Sequence, residues 1–250
     1  KLKSFVNQVK EAPAKYLGEL EEALETALEQ ALGLPITPGD DDAVELELPS
    51  GNEKALKIKL KIEPNRIENQ QFAIGLDLGG SGLGNVVDSS GSSKITVNAG
   101  ATLNLDLGID LANPLVPKPF IYDSSKVDFD FRAVGTGINF KAAVGPFGVF
   151  IGQASSNDSF IAVDADGLPA TTAPAVFSIQ LTDNNGDGKH YFATENIVSQ
   201  LTTTLTGQAK GQLPVNFPTA SQPLDAAKPN LIITVSDLAN FVGSTTTIVP

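Results

Sequence analysis

The chain has 250 residues, of which 41% are hydrophobic, enough to bury a core in one large β-rich domain or two small ones. Its formal net charge is −12 at pH 7, which repels nucleic-acid phosphates and anionic membrane surfaces, so we expect neither as a partner. The chain contains no cysteine, which excludes disulfides, zinc–thiolate sites and thiol nucleophiles.

Residues 1–33 carry the strongest helical pattern. Apolar residues recur at spacings of three and four from Leu2 to Ala31, and Pro13 interrupts or restarts the helix at its first turn. The second part is amphipathic with an acidic outer face, and Gly33 followed by Pro35 ends it. Since helices that lie on membranes are usually basic, we expect this helix to cover a sheet.

After residue 36 the hydrophobic pattern changes to a period of two, which predicts strands. Residues 44–48 follow an acidic turn at 40–42, and residues 56–62 alternate with lysines that should face Glu45 and Glu47 across a hairpin. Further strands are predicted over residues 72–78, 94–97, 101–111, 127–131, 138–142, 149–151, 160–163, 175–181, 202–206, 213–217 and 231–235. Turns at 98–100 and 135–137 should join their flanking strands as hairpins.

The sequence Asp183-Asn184-Asn185-Gly186-Asp187-Gly188 has the most specific chemistry in the chain. Asp183, Asn185 and Asp187 place oxygen-bearing side chains at alternate positions, as a calcium loop requires. Gly188 allows the sharp turn of such a loop, and Lys189 falls where the loop offers a backbone carbonyl.

The acidic residue that closes the loop pattern is displaced by one position. The pattern places it at position twelve, where this chain has Thr194, and Glu195 follows one residue later. Either a local bulge over residues 190–192 absorbs the additional residue, or the first three side chains bind Ca²⁺ with water completing the shell. The alternative is a hairpin turn, which Asn, Asp and Gly also favour.

Other acidic groups offer weaker motifs. Asp128 and Asp130 alternate on one strand and resemble a glycosidase carboxylate pair, but such pairs usually face each other from different strands. Residues 164–167 form either an incomplete second metal site or an ordinary turn. The acidic run 40–42 leaves the same two alternatives, a second calcium site or a solvated turn. His190 is the single histidine, and no nucleophile motif accompanies it, so we expect no enzyme activity.

The expected setting of the protein follows from features that the sequence lacks. There is no leader-like segment at Lys1, no apolar run of about 18 residues, and no methionine. We therefore expect a segment of a longer protein whose export signal lies elsewhere. Acidity, the absence of cysteine and a calcium loop together favour a secreted or cell-surface bacterial protein.

Three groups of residues carry a family resemblance: the Ala-Leu-Gly-Leu-Pro end of a helix at 31–35, an acidic turn and strand at 40–48, and a strand that runs into the loop at 178–195. In this order they resemble the repeat units of very large bacterial surface or adhesin-like proteins. The resemblance covers most of the chain. It implies a calcium-stiffened extracellular repeat without catalysis.

We predict an α+β, β-rich fold in which mostly antiparallel sheet folds over an N-terminal amphipathic helix, with the calcium loop at a strand-to-helix junction. The predicted organisation is a helical segment at 1–36, a β-rich domain at 37–242 and a linker at 243–250.

The predicted function is a structural or adhesive module of a surface protein or filament, rigidified by Ca²⁺. Its metal ligands would be Asp183, Asn185, Asp187, Lys189 and Glu195. Its partners would be neighbouring copies of the unit, adjacent domains of the same chain, or a surface or glycan. Two alternatives remain: a β-cup that binds a lipid or other apolar ligand, and a polysaccharide-acting enzyme that uses scattered carboxylates.

Overall fold

The structure, a computed structural model, describes residues 13–32, 43–47, 54–64, 66–75, 88–113, 115–152, 158–227 and 230–241. It confirms a β-rich fold with a large antiparallel sheet and one α-helix near the N-terminus. The predictions for residues 1–12, 40–42 and 243–250 lie outside the described residues.

The elements follow each other in a simple order, in which a helix precedes a long series of strands. Within the described residues they are α1 (Pro13–Leu32), β1 (Val44–Glu47), β2 (Ala55–Ile62), β3 (Ile67–Gly75), β4 (Asp88–Asp110), β5 (Lys118–Tyr122), β6 (Lys126–Thr136), β7 (Asn139–Val144), β8 (Phe147–Gly152), β9 (Phe160–Asp164), β10 (Ala175–Leu181), β11 (Lys189–Tyr191), a 3₁₀ helix (Ile197–Gln200), β12 (Leu201–Thr206), β13 (Gln208–Asn216) and β14 (Asn230–Val235).

The chain forms two compact units, and each draws its residues from three separate segments. The first unit comprises Lys1–Asn65, Ala101–Asp128 and Ser178–Thr203. The second comprises Arg66–Gly100, Phe129–Phe177 and Thr204–Pro250. The sequence-based division into 1–36, 37–242 and 243–250 stays a prediction.

In the first unit, β1 and β2 form the predicted antiparallel pair with the predicted charges opposed. Glu45 lies opposite Lys59 and Glu47 opposite Lys57. The Lys59 ammonium lies between both glutamates, 3.2 Å from Glu45 and 2.6 Å from Glu47. The other side of β2 pairs with residues 103–110 of β4, and β5 joins β4 to β11. The alternating pattern therefore predicted the two strands and the facing of their lysines and glutamates, and the structure adds the register.

Helix α1 contacts β1, as the amphipathic pattern predicted. The side chains of Leu20 and Leu24 are half-buried, and Glu21 accepts a hydrogen bond from the backbone N–H of Leu46 at 2.8 Å. Within the described parts of the chain, no helix combines the length and the apolar character that crossing a membrane requires.

In the second unit, successive antiparallel pairs connect β3 to β4, β4 to β7, β7 to β8 and β8 to β13. Strand β13 also pairs with β9 and β14, and β9 pairs with β6. The buried core of these strands contains Val134, Phe160 and Ala162. Because β13 contacts three strands, it organises this part of the sheet.

The predicted hairpin turn at 98–100 is wrong, because β4 runs without interruption for 23 residues. Gly100 has a different role at this point. A Cβ atom there would lie 2.5 Å from Arg66 Nη1 and 2.8 Å from Asp130 Oδ1. The glycine therefore makes room for an ion pair that crosses the strand, rather than for a reversal of the chain.

The predicted hairpin between β6 and β7 is also wrong. Gly137 has φ +63, so the chain does turn there, but β7 pairs with β4 and β8, while β6 pairs with β4, β9 and β10. Periodicity identified both strands, but it carries no information about which strand each one pairs with.

Candidate metal centre

The predicted calcium loop connects β10 to β11 and is organised by Asp183. One carboxylate oxygen of Asp183 accepts the backbone N–H groups of Asn185 at 2.9 Å and Gly186 at 2.8 Å. The other accepts the N–H of Gly188 at 2.8 Å. The loop thus wraps around the first residue of the predicted ligand set.

The next two predicted ligands repeat this local pattern. The Asn185 amide oxygen accepts the N–H of Asp187 at 3.0 Å, and Asp187 accepts the N–H of Lys189 at 2.9 Å. Gly186 and Gly188 have φ +80 and +70, which other residues adopt only with strain. The structure therefore brings Asp183, Asn185 and Asp187 together on one turn.

The hydrogen bonds favour the ionised form of Asp183. The N–H of Gly188 contributes most to holding the pKa of Asp183 below its ordinary value, followed by that of Gly186. An ionised carboxylate with lone pairs remaining is a suitable ligand for a hard cation.

A further carboxylate, Asp123, lies beside this loop. Its backbone N–H donates to the carbonyl of Gly188 at 3.2 Å. A Cβ atom on Gly188 would lie 3.7 Å from Asp123 Oδ1. The pairing of Tyr122 with Lys189 across β5 and β11 brings the two segments together. Nothing in the sequence around Asp123 indicated this, because the contact depends on strand register.

Glu195, the last predicted ligand, makes other contacts. One oxygen accepts the N–H of Tyr191 at 3.2 Å, and the other accepts the side-chain amide of Gln200 at 3.1 Å. The bond from Gln200 is the main cause of a lowered pKa at Glu195. The buried ring of His190 lies with Nδ1 3.5 Å from the same carboxylate. Glu195 therefore holds the turn that follows β11.

The predicted strand-to-helix junction is wrong in one respect, because a short strand separates the loop from the helix. The loop leads into the short strand β11, because residues 189–191 pair with β5. The 3₁₀ helix begins later, with Asn196 at its N-cap and no side-chain capping bond. A helix therefore does follow the loop, as predicted, but it is one short 3₁₀ turn and β11 lies before it.

The donor set fits calcium better than a softer metal. Across the described residues, no three or more His, Asp or Glu side chains are grouped to hold a metal ion. The loop offers instead a mixture of carboxylate, amide and backbone oxygens, and Ca²⁺ accepts such mixtures with water in the remaining positions.

The second acidic loop, residues 164–167, is organised by a protein cation. Asp164 is fully buried, and its Oδ1 accepts the N–H of Gly167 at 2.7 Å. Its Oδ2 lies 3.7 Å from Nε of Arg132. Arg132 also donates to the carbonyls of Thr171 and Pro169, at 2.8 and 3.0 Å. Arg132 thus supplies the positive charge at this position.

Asp128 and Asp130, the carboxylates considered as a glycosidase-like pair, each interact with a different set of residues. Burial opposes ionisation of Asp128, but Lys126 and Ser178 outweigh it and lower the pKa. Asp130 forms a two-pronged ion pair with Arg66. Each carboxylate has its own partner, which suits a structural role better than shared acid–base chemistry.

An apolar cleft of about 360 Å³ opens beside β11. Tyr191 lines this cleft, and its ring centroid lies 5.2 Å from that of Phe120, which is fully buried. The residues that line the cleft are Val116, Pro117, Lys118, Pro119, Tyr191, Ala193 and Thr194.

No protein-family model, curated protein or solved structure matches this chain.

Proposed function

We propose that the chain is a calcium-stabilised structural module of a secreted or cell-surface bacterial protein, similar in kind to the repeats of large adhesin-like proteins. The observation that carries this proposal is the loop in which Asp183, Asn185 and Asp187 gather on one turn. The module has no catalytic role in this proposal, and its partners are adjacent domains, neighbouring copies, or a surface or glycan.

The arrangement of charge supports a cation at this loop rather than a plain turn. Asp183 and Asp123 both approach Gly188, one through a hydrogen bond to its N–H and the other beside its Cα. Asp187 lies on the same turn, although the three carboxylates do not converge on one point. Like charges repel each other in the folded state, and a divalent cation that binds this loop with water among its ligands would lower the cost.

Calcium would act through linkage between binding and folding. An ion that binds the folded loop, and not the unfolded chain, stabilises the fold by about 2.7 kcal/mol at a hundredfold excess over Kd. Extracellular calcium modules have Kd values of roughly 10⁻⁴ to 10⁻³ M. The module would therefore be rigid in millimolar calcium and looser where calcium is scarce.

The test is thermal unfolding of the purified chain in millimolar calcium and in EGTA. We expect calcium to raise the midpoint of the parent and to leave the midpoint of the double variant Asp183→Ala, Asp187→Ala unchanged. The matched control is Asp225→Ala with Asp237→Ala, which removes two carboxylates that also accept local backbone N–H groups. This control should keep the full calcium response.

A parent chain whose midpoint is the same in calcium and EGTA would overturn the proposal. So would a calcium response that both double variants lose equally, since the effect would then follow net charge rather than the loop.

A second candidate function is binding of a small apolar ligand, which the cleft beside Tyr191 favours. Its volume of about 360 Å³ lies at the lower end of the range for small-molecule sites, roughly 300 to 1,000 Å³. Saturable fluorescence of 1-N-phenylnaphthylamine, lost in Ala193→Trp and retained in the exposed control Ala170→Trp, would support it. Equal fluorescence in both variants would exclude this cleft as the binding site.

A further inference from the structure

Among the described strands, β1, β3, β11, β12 and β14 each have one partner strand. Strand β11 has only three residues and β12 consists mostly of threonine, so the outer sides of the other three are compared. β1 pairs with β2, β3 pairs with β4, and β14 pairs with β13, each on one side only among the described strands. An edge strand presents backbone N–H and C=O groups that can pair with another chain, and proteins usually block such edges.

The edge of β1 is covered by helix α1. The carbonyl of Ala43 accepts the N–H of Lys61 in β2, and since backbone groups alternate in direction along a strand, the N–H of Leu46 points away from β2. Glu21 of the helix accepts that N–H. An outer hydrogen-bonding group of this edge is therefore satisfied within the chain.

The edge of β3 is interrupted by a bulge and carries a charge. Its register with β4 shifts between Ile67 and Gln70, and Asn69 has φ +52 within the shift. Glu68 stands in the same irregular part. Bulges and charges are devices that prevent an edge from pairing with another strand.

The edge of β14 carries none of these devices. Its six residues pair with β13 in an unbroken register from Asn230 to Val235. Its sequence, Asn-Leu-Ile-Ile-Thr-Val, contains no charge, proline or glycine, although the chain as a whole has a net charge of −12. Ile233 is 42% exposed at the centre of this regular strand.

We propose that β14 pairs antiparallel with β14 of a second copy of this chain. Strand addition at an exposed edge gains its affinity from main-chain hydrogen bonds. Because β14 is uncharged, two copies approach at this strand without like charges opposed, which would destabilise a homotypic pair elsewhere on so acidic a chain.

The side chains allow only registers in which the two-fold axis passes at a residue, and the exposure of Ile233 selects one of these. Leu231, Ile233 and Val235 share one face of β14, since successive side chains alternate. A two-fold axis at Ile233 places Leu231 opposite Val235 of the second copy, and Ile233 opposite Ile233 of the second copy. The apolar faces of the two strands are then continuous. An axis midway between two residues would instead place the apolar face of one copy opposite the other face of its partner. Centring on Ile233 also covers the exposed residue of the strand.

This contact is independent of the calcium loop, and it should form equally in calcium and in EGTA. It would supply a route by which neighbouring copies associate through a defined strand. A pairing of two short strands gives a small interface, so we expect a weak and concentration-dependent dimer.

Two experiments test the pairing. Sedimentation equilibrium over a concentration series should show the parent mass rising from one chain to two, and Ile233→Lys should remain monomeric. The matched control, Gln71→Lys, adds the same charge at an exposed position of the bulged β3 edge and should dimerise like the parent. Thermal melts establish that each variant folds.

A single cysteine provides the second readout, because the native chain contains none. Directly opposed residues in an antiparallel pair have Cα atoms about 4.5 to 5.5 Å apart, within the range of a disulfide. Mild oxidation should therefore give a covalent dimer of Ile233→Cys in high yield, and little dimer of Gln71→Cys.

A parent that stays monomeric up to its solubility limit would overturn the proposal. A dimer that survives Ile233→Lys, or equal cross-linking of the two cysteine variants, would equally overturn it.

Discussion

The carboxylate of Glu21 accepts the backbone N–H of Leu46 at 2.8 Å, so that a helical side chain satisfies one outward N–H of an edge strand. Replacing Glu21 by Ala leaves this partly buried N–H to water. A hydrogen bond to a charged group contributes about 1.5 to 3 kcal/mol when buried. Partial exposure reduces this, so we expect Glu21→Ala to lower the free energy of unfolding by about 1 kcal/mol in urea titrations.

The control for Glu21→Ala is Glu22→Ala, an exposed neighbour in the same helix turn. It removes the same charge without affecting the strand. Equal unfolding free energies of the two variants would show that the contact with Leu46 contributes nothing.

Replacement of two glycines by alanine should change the free energy of unfolding in opposite directions. Gly18 lies inside helix α1 and Gly186 lies in the calcium loop with φ +80, and a Cβ atom at either position meets nothing within 4 Å. Gly18→Ala should stabilise the chain by about 1 kcal/mol, because alanine is the better helix former. Gly186→Ala should destabilise it by about 1 to 2 kcal/mol through left-handed strain.

Chemical denaturation in EGTA measures both alanine variants without a contribution from calcium. Changes of the same sign would contradict the backbone conformation described for one of the two positions.

Asp123 should strengthen calcium binding although it lies outside the loop sequence. If a cation occupies the loop, the carboxylate beside Gly188 contributes charge or a direct ligand, so Asp123→Asn should raise the calcium Kd several-fold in titration calorimetry. Asp225→Asn, at a turn of the other unit, should leave the Kd unchanged. An unaltered Kd in Asp123→Asn would place Asp123 outside the metal shell.

The ion pair of Glu47 with Lys59 predicts a specific dependence on pH. The side-chain contact with Lys59 holds the pKa of Glu47 below its ordinary value of 4.5. A lowered folded-state pKa means that the contribution of Glu47 to stability is complete above the unfolded value and is lost as pH falls through the folded value. At alkaline pH, the hydrogen bond with Glu47 raises the pKa of Lys59 above its ordinary value of 10.5. The contribution of Lys59 to stability is complete below 10.5 and is lost as pH rises through the higher folded-state pKa.

Carbon-detected NMR titration of the Glu47 carboxyl group measures this effect. We expect the pKa of Glu47 to rise towards 4.5 in Lys59→Gln, because the main lowering contact is gone. Lys61→Gln is the control, since Lys61 pairs with Glu63 instead. A Glu47 titration that is the same in all three proteins would mean that the pair is not formed in solution.

The sequence predicted those features that depend on neighbouring residues. Alternation in β1 and β2 predicted that lysines of β2 would oppose Glu45 and Glu47, because two strands of a hairpin lie next to each other. The spacing of Asp183, Asn185 and Asp187 predicted that they share one turn, because all three lie within five consecutive residues. Whether that turn holds calcium is a question of solution chemistry, and it stays a prediction.

Features that depend on distant pairing were missed. Glycine at position 100 is typical of a turn. It lies within a straight strand because the ion pair of Arg66 with Asp130 crosses the strand at that point. Asp123 had no local motif, and the register between Tyr122 and Lys189 alone brings it to the loop. Neither contact leaves a periodic signal in the chain.

The division of each unit among three segments also bears on how the protein is made. The first unit is incomplete until Ser178–Thr203 has been synthesised, and the second lacks one of its segments until the ribosome has passed Thr204. Strands such as β2 and β4 therefore emerge long before all of their unit exists. A nascent chain of this kind should depend on chaperones or on delayed folding, because apolar strands held open during translation are prone to aggregate.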